Sequence, residues 1–170
     1  MAVVGVPVRY NQKLFNCAAV FCRGALLGLV PKIHLPNYTE FYEGRWFTSG
    51  RALMGSDFCV PFAGQENVEF SPGLLFRCVN EPLLTIGVEI CEDLWVADPP
   101  STRLAQGGAT LVLNPSASDE TVCKDAYRRT LLEATSGRLA CGYVYCSASP
   151  TESLTSSMPG TASLRKTGRS

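Results

Sequence analysis

LTIGVEICEDLWV, residues Leu84–Val96, decides how the rest of the chain is read. An apolar run of strand composition ends at Cys91, and two acids, Glu92 and Asp93, follow where a turn or helix begins. That sets a thiol at the carboxyl end of a strand. In an open α/β sheet this is where the chain leaves the packed core and side chains face a crevice. A thiolate there is a candidate nucleophile. Amide dipoles of the following turn favour it and the adjacent carboxylates oppose it, so the reading calls for a cationic partner from elsewhere. The competing reading is a buried structural cysteine, since free cysteine is among the most buried residue types.

Working outward, 170 residues with 46% hydrophobic and 18% charged content fit one medium domain with a core of its own. The formal charge is zero, with 15 basic and 15 acidic residues and no basic block, which argues against nucleic acid and anionic membranes as partners. No apolar stretch reaches the about 18 residues of a membrane span, and no signal-type start appears, so a cytoplasmic protein is expected. Eight cysteines (17, 22, 59, 78, 91, 123, 141 and 146) include no CxxC pair. Seven of them read as core or near-core thiols in a reducing compartment rather than a disulfide framework. His34 is the one histidine, so a two-histidine metal site is excluded within the chain and no metal is expected.

Taken in order, Ala2 to Val8 reads as a buried strand that starts with no polar lead-in, as if the domain opened in mid-core. Phe15 to Cys22 and Ala25 to Val30 are further strand-type runs, joined by Arg23-Gly24 as a tight hairpin turn. Pro31 to Phe47 is polar and aromatic without clean periodicity and reads as a structured loop. It supplies Lys32, His34, Tyr38, Glu40 and Glu43. A strand is expected at Leu74 to Val79, a short helix at Thr102 to Gln106 after Pro99-Pro100-Ser101, and a buried strand at Ala109 to Leu113. Lys124 to Leu139 is the best helix, with Ala126, Leu131, Ala134 and Leu139 expected inward and Arg128, Arg129 and Glu133 outward. Gly142 to Cys146 is another strand. The β, α, β, α, β order of the second half argues for a layered α/β domain over residues 1–150. Residues 151–170, with five serines and no hydrophobic period, read as an irregular tail.

Three stretches in this order, VPKIHLPNYTEFYEGRWF (30–47), GVEICEDLW (87–95) and LNPSASDETVCKDAYRR (113–129), resemble the nitrilase-type (carbon-nitrogen hydrolase) glutaminase domains of glutamine-dependent NAD synthetases. The resemblance runs from about Val3 to Ser149. It implies an α-β-β-α sandwich, here incomplete. It implies Cys91 as nucleophile and Lys32 as its lysine, with Glu43 orienting the lysine. Tyr38, Ser118 and Lys124 fall where glutamine is held. By the same resemblance the domain needs no cofactor. ATP and magnesium belong to a synthetase domain that the stretch does not include, and such proteins assemble as homo-oligomers. The lysine would supply the cation that the thiol asked for.

Two departures come with the resemblance. The family's glutamate base lies upstream of the stretch matching Ala2 to Val8, and Glu89 is a poor replacement because residues two apart on a strand stand about 6.5–7 Å apart. Cys123 stands where the family usually has glycine. A reading-frame shift near residue 152 is a further expectation, because back-translating Leu154 to Gly168 and reading two bases along gives a peptide similar to the family's continuation. Two other readings stay open from residues alone: a stand-alone nitrilase-type amidase on another small amide, and a non-functional gene remnant.

Overall fold

The computed structural model describes residues 1–55, 58–119, 121–148 and 162–165. The chain opens with two hairpins in series. Strands β1 (Ala2–Tyr10), β2 (Lys13–Cys22) and β3 (Ala25–Pro31) pair antiparallel in that order. Both connections are two residues long with both residues left-handed: Asn11 at φ 46° and Gln12 at φ 62°, then Arg23 at φ 51° and Gly24 at φ 83°. That conformation matches the twist of the flanking strands, which is why so short a loop closes the pair.

Strand β2 is buried on both faces. Phe15, Cys17 and Ala19 point into one apolar cluster with Leu26, Leu29, Val60, Val68 and Phe70. Ala18 and Val20, on the alternate face, pack with Val30, Val88 and Ile90. The first cluster is roofed by a small hairpin, β4 (Cys59–Phe62) and β5 (Gln65–Glu69), which the Gln65 side chain fastens to β3. Its amide accepts from Leu26 N at 2.8 Å and donates to Leu26 O at 3.0 Å. The second cluster joins the first sheet to a second one.

The second sheet has the order β10-β9-β8-β7-β6, built from β6 (Leu75–Arg77), β7 (Thr85–Val88), β8 (Leu111–Ser116), β9 (Gly142–Ser147) and β10 (Ala162–Arg165). Strands β7, β8 and β9 are parallel, and the outer two pair antiparallel. The crossovers run through two helices, α2 (Pro100–Gln106) and α3 (Lys124–Leu139). The short α1 (Glu43–Trp46) lies earlier, in the loop after β3. Gly87 lets α2 lie close on β7, because a Cβ there would stand 3.0 Å from Leu104 Cδ1. Each aliphatic side chain so enclosed contributes about 1.5–3 kcal/mol relative to exposure. The layering is therefore helix on sheet on sheet, the α-β-β part of the expected sandwich.

Three expectations are corrected. Strand β1 is an edge, with Val8 its buried residue and Val4 49% exposed, because β2 occupies only one of its sides. Helix α3 turns Arg128, Leu132, Thr135 and Ser136 inward, while Ala126 and Ala134 are exposed. Its inward stripe keeps helical spacing but is largely polar: the Arg128 guanidinium lies over the Tyr145 ring at 5.5 Å and Ser136 Oγ donates to Cys141 O at 2.6 Å. Among the cysteines, Cys17 and Cys141 are buried and Cys22 and Cys78 are half-buried, but Cys59, Cys123 and Cys146 are exposed. Of the stretch expected to be an irregular tail, Ala162–Arg165 pairs with β9 and the rest lies outside the described residues.

Candidate active site

The carboxyl ends of β3, β7 and β8 converge on one crevice. Lys32 follows β3 directly and Cys91 follows β7 after Glu89 and Ile90. Asn114, Pro115 and Ser116 close β8. Cys91 takes φ 47°, a left-handed conformation that a β-carbon disfavours, so its side chain is presented at a tight turn rather than along the strand. The turn itself is a short 3-10 segment, Cys91–Leu94.

Two cavities meet at this thiol. The larger, about 580 Å³, is lined by Cys91, Lys32, Glu43, Asn16, Asn114 and Cys146 among others. The smaller, about 120 Å³, is lined by Cys91, Tyr38, Glu92, Trp95, Ser118 and Lys124 among others. All six residues singled out in the sequence thus border one or other of two spaces that share Cys91.

Lys32 is 1% exposed, and its Nζ lies 2.7 Å from Glu43 Oε1. A lysine so enclosed keeps its charge only with an acceptor, which Glu43 supplies. Asn16 Nδ2 reaches the other Glu43 oxygen at 3.5 Å. Burial pushes the Cys91 thiol above its ordinary pKa. The Lys32 ammonium, the Ala117 N–H and the Ser116 hydroxyl pull it down, and Glu43 pushes it up again. Burial prevails, so the resting group is a neutral thiol. The lysine acts in the expected direction without winning.

The acids beside the thiol are hydrogen-bonded away from it. Glu92 Oε2 accepts the Tyr38 hydroxyl at 2.8 Å. Asp93, 1% exposed, accepts the backbone N–H groups of His34 at 2.7 Å, Ile90 at 3.0 Å and Ile33 at 3.5 Å. Glu89 faces away into the core, where it accepts from Tyr143 OH and, at 2.6 Å, from Ser101 N. On the smaller cavity, Lys124 Nζ pairs with Asp119 and stands 5.3 Å from the centre of the Trp95 ring. Ser118 is buried beside it. Cys123 takes φ 68°, a left-handed backbone that glycine adopts without strain. Asn114, Tyr143, Asp93 and Asn16 were not singled out from the sequence as site residues. The Asn114-Pro115 pair directly after an apolar strand was the available signal. No group of three or more His, Cys, Asp or Glu suited to a metal ion occurs among the described residues, nor any helix long and apolar enough to cross a membrane.

A two-sheet sandwich with helices on its outer face is a fold shared with the nitrilase superfamily. A Saccharomyces cerevisiae member of that superfamily superposes with TM-score 0.62 at 19% identity over 92% of this chain and 47% of its own. The chain is a relative of the glutamine-dependent NAD(+) synthetases. It is 41% identical over 153 residues to that of Mycobacterium tuberculosis, covering 90% of this chain and 22% of the relative. The glutamine-dependent NAD(+) synthetase of Cytophaga hutchinsonii superposes with TM-score 0.71 at 32% identity, over 85% of this chain and 22% of that one. The chain therefore spans about a fifth of the length of the curated relatives it matches. No family model matches it.

Proposed function

We propose that this chain carries the glutamine-hydrolysing site of an NAD(+)-forming enzyme, and that ammonia released here feeds an ATP- and magnesium-dependent amidation performed by a separate domain. The observation that carries the reading is Cys91, held left-handed at the meeting of two cavities, with the buried Lys32–Glu43 pair on one side and Tyr38, Ser118 and Lys124 on the other. Cys91 Sγ bonds to the side-chain carboxamide carbon of glutamine, and its proton leaves to an acceptor. The Lys32 ammonium stabilises the oxyanion that forms. The C–N bond then breaks, with nitrogen departing as ammonia after gaining a proton, and water cleaves the thioester to give glutamate and the free thiol. Lys124 pairs with the substrate's α-carboxylate in exchange for Asp119. Relatedness to glutamine-dependent enzymes favours this over a stand-alone amidase on another amide.

Because the resting thiol is neutral, the attack needs a proton acceptor. Among the described residues, Glu43, Glu89, Glu92 and Asp93 are each already engaged by lysine, tyrosine or backbone donors. We infer that none of them is the general base and that these residues alone turn glutamine over slowly, since such a base contributes about a hundred- to ten-thousandfold. A glutamine-derived diazoketone tests the site without requiring turnover. Peptide mapping should find it on Cys91, with labelling suppressed by glutamine. Labelling that ignores glutamine, or that goes to Cys59 or Cys146 instead, would remove the proposal.

A further inference from the structure

Asn114 grips the Cys91 peptide unit from both sides. Cys91 N donates to Asn114 Oδ1 at 2.8 Å, and Asn114 Nδ2 donates back to Cys91 O at 3.4 Å. The same Nδ2 donates to Tyr143 OH at 3.0 Å, and Tyr143 OH donates to Glu89 Oε1. Glu89 Oε2 receives the Ser101 N–H at 2.6 Å, at the first turn of α2. The direction of every link is forced. A backbone N–H can only donate, so the Asn114 oxygen faces Cys91 and its NH2 faces Tyr143. Tyr143 has one proton, and it passes to the carboxylate. Asn114, Tyr143 and Glu89 are each 1% exposed or less.

We propose that Asn114, locked by Tyr143 and Glu89, is a positioning residue that keeps Cys91 in its left-handed turn and thereby aims the thiol into the shared space of the two cavities. This rests on the reading of Cys91 as nucleophile. A non-glycine residue at φ 47° persists only where its surroundings hold it. Here the holder is an amide whose own orientation cannot flip without breaking the link to Tyr143. Asn114 Oδ1 also accepts Ser116 Oγ at 2.7 Å, which orders the hydroxyl beside the thiol. When the thiolate forms, that hydroxyl can turn to it while Cys91 N still holds the oxygen. Buried hydrogen-bond chains of this kind specify one arrangement when every member is satisfied.

The test is alkylation of the full chain by iodoacetamide across about pH 6 to 10, resolved by peptide mass spectrometry, a range that brackets ordinary thiol ionisation. Cys59, exposed on the β4–β5 hairpin away from the site, serves as the internal reference. Asn114→Ala and Asn114→Asp should slow Cys91 about tenfold or more and move its pH profile upward, with Cys59 unchanged, as expected for a misaimed reactive group. Tyr143→Phe keeps the ring and removes the link, and should give a smaller loss in the same direction. Folded variants in which Cys91 keeps the wild-type rate and profile overturn the inference, since a purely structural residue would lower the melting temperature alone. If the Asn114 variants fail to fold, Tyr143→Phe decides, an unaltered Cys91 profile overturning it. A wild-type Cys91 that the glutamine-derived diazoketone leaves unlabelled overturns the nucleophile reading and this inference with it; a Cys91 that the diazoketone labels but whose iodoacetamide profile is indifferent to both positions overturns this inference alone.

Discussion

Asp93 Oδ1 accepts the His34 backbone N–H at 2.7 Å, and that bond ties the loop carrying Lys32 to the turn carrying Cys91. The other oxygen accepts from Ile90 and, at longer range, from Ile33. Ile33 directly follows Lys32 and Ile90 directly precedes Cys91, so one carboxylate bonds the chain neighbours of both groups. The spacing between Cys91 and Lys32 is held through Asp93 rather than by the two side chains themselves.

Stability should depend on pH through Asp93. Burial pushes its pKa up to about 7, against the hydrogen bonds from His34 and Ile90 and the charge of Lys32, with Glu89 adding to the rise. A raised acid binds its proton more tightly folded than unfolded. Its contribution is therefore full below the unfolded value of about 4 and is lost as pH rises through about 7. The loss amounts to at most about 4 kcal/mol at 1.36 kcal/mol per pH unit. Glu89 is also raised and adds a slope of the same sign, so the comparison is with Asp93→Asn. That variant should melt lower than wild type at acid pH, because its NH2 meets the N–H groups the carboxylate served, but its curve should be flatter up to neutrality. Parallel curves would show that Asp93 does not titrate in this range.

Lys32→Met should slow alkylation of Cys91 at neutral pH by about tenfold, the effect of raising a thiol by one pH unit. The lysine is the largest influence lowering that thiol, and methionine fills similar space without charge. Glu43, 21% exposed, can then turn to water, so the melting temperature should change less than the reactivity. Equal rates in wild type and variant would mean that Lys32 is present for packing.

Much of the architecture was legible because its signals are local. Arg23-Gly24 between two apolar runs marked a hairpin, and the abrupt end of the Thr85–Val88 strand placed Cys91 at a crevice. The inward face of α3 was not legible, since Arg128, Thr135 and Ser136 look like surface residues and are buried through partners supplied by the fold. The exposure of β1 depends on which strand lies beside it, a tertiary fact. The pairing of Lys32 with Glu43, eleven residues on, is made by the fold of the intervening loop and has no periodic signal. The Asn114–Tyr143–Glu89 chain joins positions 29 and 54 residues apart, and no periodicity reports such a pairing.

Cys123→Gly should stabilise the chain by about 0.5–1 kcal/mol, because it removes left-handed strain from an exposed residue at a cost in unfolded-state entropy that is smaller. Cys123 stands at φ 68° directly before Lys124, the first residue of α3. Cys123→Ala keeps the β-carbon and should give no gain. A melting temperature lower for glycine than for alanine would place the strain elsewhere.

On the proposed function, the smaller cavity predicts how glutamine binding fails. Lys124 is paired with Asp119 and lies against the Trp95 ring, and on that reading it exchanges onto the incoming carboxylate. In Lys124→Ala that cation is gone and the Asp119 carboxylate remains to repel the same group. Glutamine should then protect Cys91 from the diazoketone only at concentrations about tenfold or more higher, a loss of about 1.4 kcal/mol in binding. The reagent carries the same α-carboxylate, so its own labelling should need more reagent by a similar factor. Iodoacetamide, which has no carboxylate, should alkylate Cys91 as fast as in wild type. That split separates binding from reactivity, because damage to the thiol's surroundings would slow both reagents together. Tyr38→Phe, which frees Glu92 on the opposite wall, should weaken protection in the same way but by less, since the carboxylate it releases is only half-buried and so partly screened by solvent. If iodoacetamide slows in Lys124→Ala as much as the diazoketone does, Lys124 shapes the turn rather than the substrate site.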